Sequence, residues 1–444
     1  MKATIMKIIR FILYISVILV CSCKKSDEES IVVKPELTEE ETIINNLLSL
    51  VGPETQPSTE ISSLVLSDEE KAMLNKGNAM AFDFLRNQQN DKNLVYSPLS
   101  LYYVLGMLSA GSNDATFSQI QAILGGKGDK AAINEYFKKI YKGTRSLDNL
   151  VTFSTANLLA INQQSNIITE TYPRTLADYY AAVSLCMDFN KPSFVAQVLN
   201  KWVSLHTNSL IEQLIQTEDV CGLAILINTL YTKGAWRDSF PTTLTKKDVF
   251  SLVDGKEIQI EYMTSLAFRT YGNKEKYSFV HLPIGKHQNH YALSIILPNK
   301  GISIGETLSL LKSQGWQNSV SNGLNEYIKL VMPKFSIKQD LKMSDYLKEK
   351  GLTDAFDINR ADFSGITGSK SKKFAIGLIK QKSKIEIDEK GIEAASATAT
   401  VGFGLNPDEP QEIKETFKAD RPFIYVLSDL ESGLILFAGI YAGE

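Results

Sequence analysis

Only four side chains in this 444-residue sequence are ordinary bases near neutral pH: His206, His281, His287 and His290. Hydrolysis through a nucleophile needs one of them within hydrogen-bond reach of a serine, threonine or cysteine. None stands in a recognisable motif. The chain has no Gly-x-Ser-x-Gly elbow and no His-Glu-x-x-His pair, and His287-x-x-His290 in a polar loop is a weak zinc signal. Gly125-Gly126-Lys127-Gly128 lacks P-loop spacing and runs into Asp129, so it reads as a turn. Cys186 and Cys221 are flanked by apolar residues (Leu185, Met187, Val220, Leu223), which points to buried thiols rather than a catalytic pair or a metal site. Neither a conventional enzyme nor any cofactor or metal is expected.

A different chemistry is carried by Glu389-Lys390-Gly391-Ile392-Glu393-Ala394-Ala395-Ser396-Ala397-Thr398-Ala399-Thr400. A run of Ala, Ser and Thr without proline keeps every backbone donor and has side chains small enough to enter a sheet as a new strand. Alternation sends Ile392, Ala394, Ser396, Thr398 and Thr400 to one face, and none is charged. An Ala-rich stretch is more often helix, but the threonines and the serine weaken that reading.

The elements that must position this segment follow from pattern. With 44% hydrophobic residues and a formal charge of -3, the chain can bury a large core and has no global bias toward nucleic acid. Ser67 and Glu70 form a capping box ahead of Leu74, Gly77, Ala81, Phe84 and Leu85, so the body opens with a helix. A second helix runs from Ser97-Pro98 through Leu108 to about Gly111. Strands are expected at 151–157, 224–232, 291–297, 327–331, 385–388, 423–427 and 434–440. The pattern is mixed, with large sheets and no βαβ repeat, and no second linker divides residues 67–444.

Ahead of the body lies processing sequence. Lys2, Lys7 and Arg10 precede a ten-residue apolar run from Phe11 to Val20, long enough for a signal h-region and too short to span a bilayer. It ends Leu19-Val20-Cys21-Ser22-Cys23, which resembles a bacterial lipobox, making Cys23 the expected lipid anchor and residues 1–22 the signal peptide. Ordinary secretory cleavage is the alternative. Lys24-Lys25-Ser26-Asp27-Glu28-Glu29 is similar to the acidic export tract of Bacteroidetes lipoproteins, which implies an outer-membrane lipoprotein exposed on the cell surface; a merely solvated charge run is the bland reading. Residues 23–66 read as an acidic tether, interrupted where Thr38 and Glu41 cap an amphipathic helix reaching Val51.

Five segments together resemble the serpin family: Asn93 to Ser100 with Leu105 to Ser112; Asn200-Lys201-Trp202-Val203; Asn228 to Trp236; Gly351 to Phe356 with Ala361 to Ile366; and Phe417 to Leu427. The resemblance implies an α+β serpin fold, with about eight to nine helices around three β-sheets and an exposed reactive-centre loop at about 389–420. It implies a monomer whose partner is a target serine protease, held as a covalent acyl complex after the loop is cut and inserted. Glu389 to Ala397 would be the hinge. Ser97, Ser100, Asn228 and Gln381 would form the polar network under the opening sheet, with Gln381 where the family usually has histidine, and Trp202 would mark the breach. Ile392 stands where inhibitory members usually have Thr or Ser. Counting Glu389 as the seventeenth residue before the cut bond puts Leu405 on the acyl side and Asn406 on the leaving side, to within about two residues. Leu405 suits an apolar S1 pocket of chymotrypsin or elastase type. The alternatives are a non-inhibitory binding protein cleaved as a simple substrate, and an inhibitor of papain-like cysteine proteases.

Overall fold

The computed structural model describes residues 41–42, 44–46, 62–88, 91–163, 168–287, 289–392 and 412–443. The chain divides into two compact units, Met1–Leu47 and Leu48–Glu444. In the first, residues 41–42 and 44–46 are helical, inside the stretch where a capped helix is expected.

The larger unit starts packing before the expected boundary at Ser67. Leu64 and Leu66 are buried, and the Ser62 N–H donates to the Ser146 carbonyl at 2.9 Å. Helix α1 (Asp68–Arg86) carries the capping box read from the sequence: Glu70 N–H donates to Ser67 Oγ while Ser67 N–H donates to the Glu70 carboxylate. Strand β1 (Leu94–Tyr96) leads into α2 (Pro98–Gly111), capped by Ser97 with Pro98 at its first turn, and nearly every residue of α2 is buried. Then come α3 (Asp114–Leu124), α4 (Lys130–Thr144), β2 (Thr152–Asn162), α5 (Thr171–Tyr180), β3 (Ala182–Met187), α6 (Pro192–His206) and β4 (Ala224–Ala235). Gly125 closes α3 in the left-handed region at φ 78°, so the glycine-rich run is a helix-ending turn.

The middle of the chain is β5 (Lys246–Ser251), β6 (Glu257–Asn273), β7 (Tyr277–Pro283), β8 (Tyr291–Pro298), α7 (Ile304–Gln314), α8 (Trp316–Ser319), β9 (Leu324–Pro333) and β10 (Phe335–Lys342). Short helices α9 (Ser344–Glu349) and α10 (Ser364–Thr367) precede β11 (Lys380–Ile387), β12 (Gly391–Ile392), β13 (Glu415–Lys418), β14 (Phe423–Asp429) and β15 (Ile435–Tyr441).

The described strands form a nine-stranded sheet, ordered β1-β15-β14-β8-β7-β6-β9-β13 with β5 on β6, and a six-stranded sheet, ordered β10-β11-β12-β4-β2-β3. The three expected sheets become two because β6 is long enough to be shared. Its first residues pair with β5, Tyr262 to Tyr271 pair with β9, and Tyr271 to Asn273 pair with β7. Hairpin strands β14 and β15 are buried at every residue, as strands covered on both faces must be.

The cysteine expectation is corrected. Cys186 and Cys221 are both exposed. Cys186 sits on edge strand β3, where Leu185 and Met187 turn inward and alternation sends the thiol between them outward. Apolar neighbours in a strand therefore argue for an exposed side chain, not a buried one.

Candidate functional site

Strand β11 alternates strictly, with Gln381, Ser383, Ile385 and Ile387 buried and the lysines and glutamate between them half-buried. A tight turn follows: Lys390 N–H and Gly391 N–H both donate to Asp388 Oδ1, at 2.8 and 3.1 Å. The chain then re-enters the six-stranded sheet as β12, antiparallel to both neighbours, with Ile392 opposite Ile387 on β11 and opposite Gly234 on β4. The fit requires glycine, because a Cβ on Gly391 would collide with the Gly234 carbonyl oxygen. Ile392 is buried among Leu230, Ile385, Leu427 and Phe437, and only about 10 Å³ of void remains beside it.

The turn is gripped from outside. Trp236 donates twice, from its backbone N–H to the Lys390 carbonyl at 2.9 Å and from Nε1 to the Asp388 carbonyl at 2.7 Å, while Phe240 N–H donates to the Glu389 carbonyl at 3.0 Å. Burial opposes ionisation of Glu389, yet the Thr245 hydroxyl at 2.8 Å and Lys334 hold its carboxyl below the ordinary 4.5.

Below Ile392 the sheet changes character. Among the described residues β4 and β11 share no pairing of their own, meeting only through β12. A cavity of about 450 Å³ lies between them, floored by Leu101, Val104 and Leu108 of α2 and bounded by Leu226, Asn228 and Gln381. At its foot Lys380 Nζ pairs with the Asp219 carboxylate at 2.6 Å. Cys221 stands on its rim.

The four polar residues expected to form one network are divided by this cleft. On the β11 side Ser97 N–H donates to Gln381 Oε1 at 3.0 Å, Gln381 Nε2 donates to the Ser97 carbonyl at 2.7 Å, and Ser97 Oγ both donates to the Leu436 carbonyl and accepts from Ser100 N–H. Glutamine does this as donor and acceptor at once. On the β4 side Asn228 Nδ2 donates to Thr155 Oγ1 and Asn157 Oδ1 of β2, and Asn228 Oδ1 has no partner among the described residues. Asn228 and Gln381 do not bond one another.

Trp202, expected to mark the breach, makes no hydrogen bond or ring contact with the turn 388–390 among the described residues. It is fully buried on α6, which packs over β2 and β4, with its ring 4.2 Å from that of His206 and its Nε1 unpartnered among the described residues. The tryptophan that grips the turn 388–390 is Trp236, the last residue of the segment Asn228 to Trp236. The signal available was its place at the end of a long strand, after Gly234. Of the remaining expected site residues, Glu393, Ala394, Ala395, Ser396, Ala397, Leu405, Asn406 and Cys23 lie outside the described residues.

The histidines are absorbed by the fold. His281 Nδ1 lies 2.7 Å from Ser294 Oγ, but the pair is 5% and 0% exposed, and burial pushes the imidazole down to about 4. His206 Nδ1 meets the Trp202 carbonyl, and His290 meets Asp429 at 3.1 Å. His287 and His290 lie with ring centroids 6.1 Å apart, and among the described residues no group of three or more His, Cys, Asp or Glu could hold a metal ion.

Comparison with known proteins agrees with this geometry. An uncharacterised serpin-like protein of Methanosarcina acetivorans is 29% identical over 379 residues, covering 84% of this chain and 86% of that one. Neuroserpin of Mus musculus is 29% identical, covering 81% and 88%. The native-state structure of the thermophilic serpin tengpin superposes with a TM-score of 0.74 at 25% identity, covering 87% of this chain and 97% of that one. Human thyroxine-binding globulin shares the fold, with a TM-score of 0.75 at 21% identity, covering 85% and 100%. The family model for serpins, serine protease inhibitors, matches residues 75–442, and on that span this chain belongs to the serpin family.

Proposed function

We propose that this serpin is an irreversible inhibitor of serine proteases, consumed in the act. The observation that carries the reading is Gly391 and Ile392 already seated as a strand between β11 and β4, above a cleft into which a longer strand can continue. Ile392, bulky for its position, is accommodated with no charge and with only about 10 Å³ of void beside it, so the proposed hinge has an entry into the sheet.

In this mechanism the protease serine attacks the Leu405 carbonyl, the bond to Asn406 breaks, and the new amine leaves with the C-terminal segment. The acyl-linked strand then inserts before water can hydrolyse the ester. About 15 residues at roughly 3.3 Å each carry the protease on the order of 50 Å. About a dozen new ladder bonds at roughly 1 kcal/mol each supply about 12 kcal/mol for distorting its active site. Leu405 favours chymotrypsin-like and elastase-like targets. The chain acts as a trapped substrate, not as an enzyme, and acts as a monomer. We further propose that Cys23 tethers it to the outer membrane, facing outward, since a multiply acylated cysteine holds far more firmly than one chain.

The test is to incubate protein lacking residues 1–23 with neutrophil-type elastase and with chymotrypsin, and to analyse the products by denaturing gel and mass spectrometry. The expected result is a covalent complex with a released peptide beginning at Asn406. Clean cleavage without complex, for these and other serine proteases, would make the chain a non-inhibitory binder; complex with papain-like enzymes alone would move the target class.

A further inference from the structure

Arg269, in the C-terminal third of β6, is only 1% exposed, yet among the described residues two of its donors, Nε and Nη1, have no partner. Among the described residues its one side-chain hydrogen bond runs from Nη2 to the backbone carbonyl of Asp238 at 3.1 Å, and its guanidinium lies over the Phe240 ring, 5.6 Å from the centroid. The Asp238 carboxylate, the obvious counter-charge, is engaged instead by Arg237 Nε and Nη2, both at 3.1 Å. Burial pushes the guanidinium down to about 10, despite the neighbouring Asp238 charge. A buried cation so poorly compensated is costly, and an apolar side chain of similar length would be neutral or better for stability. Such a residue calls for an explanation beyond packing.

The explanation lies in what Arg269 touches. Asp238 and Phe240 belong to the strap 236–240, which donates three hydrogen bonds to the turn 388–390: Trp236 N–H to Lys390, Trp236 Nε1 to Asp388, and Phe240 N–H to Glu389. Arg237 N–H also donates to the Pro283 carbonyl, and Trp236 bridges to Ile284. Arg269 thus holds the Asp238 carbonyl from below and backs the Phe240 ring, fixing the strap at the point from which it holds the hinge.

We infer that Arg269 is a positioning residue for loop insertion: it fixes the strap 236–240 and so holds the turn 388–390 as a rigid pivot from which the cleaved loop enters the sheet in register. This rests on the inhibitory reading above. A loose pivot slows in-register zipping, and every delay gives water time to hydrolyse the acyl-enzyme, so the variant is turned over as a substrate.

The test compares wild type, Arg269→Met and Arg269→Gln, the last keeping a donor for the Asp238 carbonyl. Three readouts are taken: inhibitor molecules consumed per protease trapped, melting temperature of the uncleaved protein, and hydrogen exchange at the amides of Trp236 and Phe240. R269M is expected to melt at or above the wild-type temperature, to consume at least about twice as many molecules per complex, and to exchange both amides faster; R269Q stays near wild type. The inference is overturned if R269M partitions and exchanges like wild type, or if its loss of inhibition merely tracks a fall in melting temperature that R269Q shares. If wild type forms no complex with any protease, the inhibitory reading fails, while the exchange comparison still decides whether Arg269 fixes the strap. Should R269M not fold, R269Q against wild type in exchange carries the decision: protection retained supports the single bond, and protection lost sinks it.

Discussion

The two ends of the junction between β4 and β11 are built in opposite ways. At the upper end two residues of chain fill the space, the backbone carbonyls of Asp388, Glu389 and Lys390 are all engaged, and about 10 Å³ is left over. At the lower end there is about 450 Å³ of mostly apolar space, a split polar pair, and an ion pair drawn across the foot. The contrast teaches that the sheet is zipped where the proposed insertion would begin and unzipped where it would end, so free energy remains to be gained in one direction only. Dispersion contacts and ladder bonds absent from the lower half are what a further strand would supply.

The largest effect is expected from breaking the lower half. Continuing the observed register six residues beyond Ile392 sets Thr398, itself outside the described residues, between Asn228 and Gln381. Thr398→Arg would bury a charge with no acidic partner there, at a cost of about 3–5 kcal/mol. The expected outcome is intact cleavage with loss of covalent complex on a denaturing gel; unimpaired complex would mean that the loop does not follow this register. Next in size, Gly391→Ala forces a methyl against the Gly234 carbonyl and should cost about 2 kcal/mol in denaturant unfolding, by prising β12 from β4.

A pair of tryptophans sharpens the comparison. Trp236→Phe leaves the Asp388 carbonyl without its indole donor, whereas Trp202→Phe removes no side-chain hydrogen bond among the described residues. The first should cost about 1 kcal/mol more than the second, and equal losses would deny Trp236 its hold on the hinge. At the foot, Asp219→Asn removes a partly buried ion pair and should cost about 1 kcal/mol or less, with faster insertion on cleavage seen by stopped-flow fluorescence. The smallest effect is acid sensitivity of the hinge. Because the folded carboxyl of Glu389 lies below its ordinary 4.5, the unfolded chain takes up that proton first as pH falls. The contribution is complete above pH 4.5 and is lost as pH drops through the folded value. Urea midpoints between pH 7 and 3.5 should fall less steeply for Glu389→Gln than for wild type.

Legibility followed the range of the interactions. The α1 capping box and the Ser97-Pro98 start of α2 were readable because a cap is a contact between residues three apart. Buried strands β8, β14 and β15 announced themselves as apolar runs. Strand β6 did not, since Glu257 to Asn273 mixes charged, aromatic and small residues as it passes from one set of partners to another. Ser97 and Gln381 could be named as site residues, but not paired with each other to the exclusion of Asn228, because that depends on which strands the cleft separates. Trp202 and Trp236 both carry the right side chain, and only the distance to residue 388 distinguishes them.

By itself the sequence determined the family-wide framework: an apolar core large enough for one body, local caps and turns, and an uncharged, proline-free segment fit to become a strand. These depend on composition and on contacts a few residues long. Tertiary structure alone decided that Ile392 is already in the sheet, that the polar network is split, and that Arg269 lies buried beneath the strap 236–240. Each of these is set by contacts between segments remote in sequence, and no local pattern encodes which of several suitable side chains the folded backbone will bring within 3 Å of its partner.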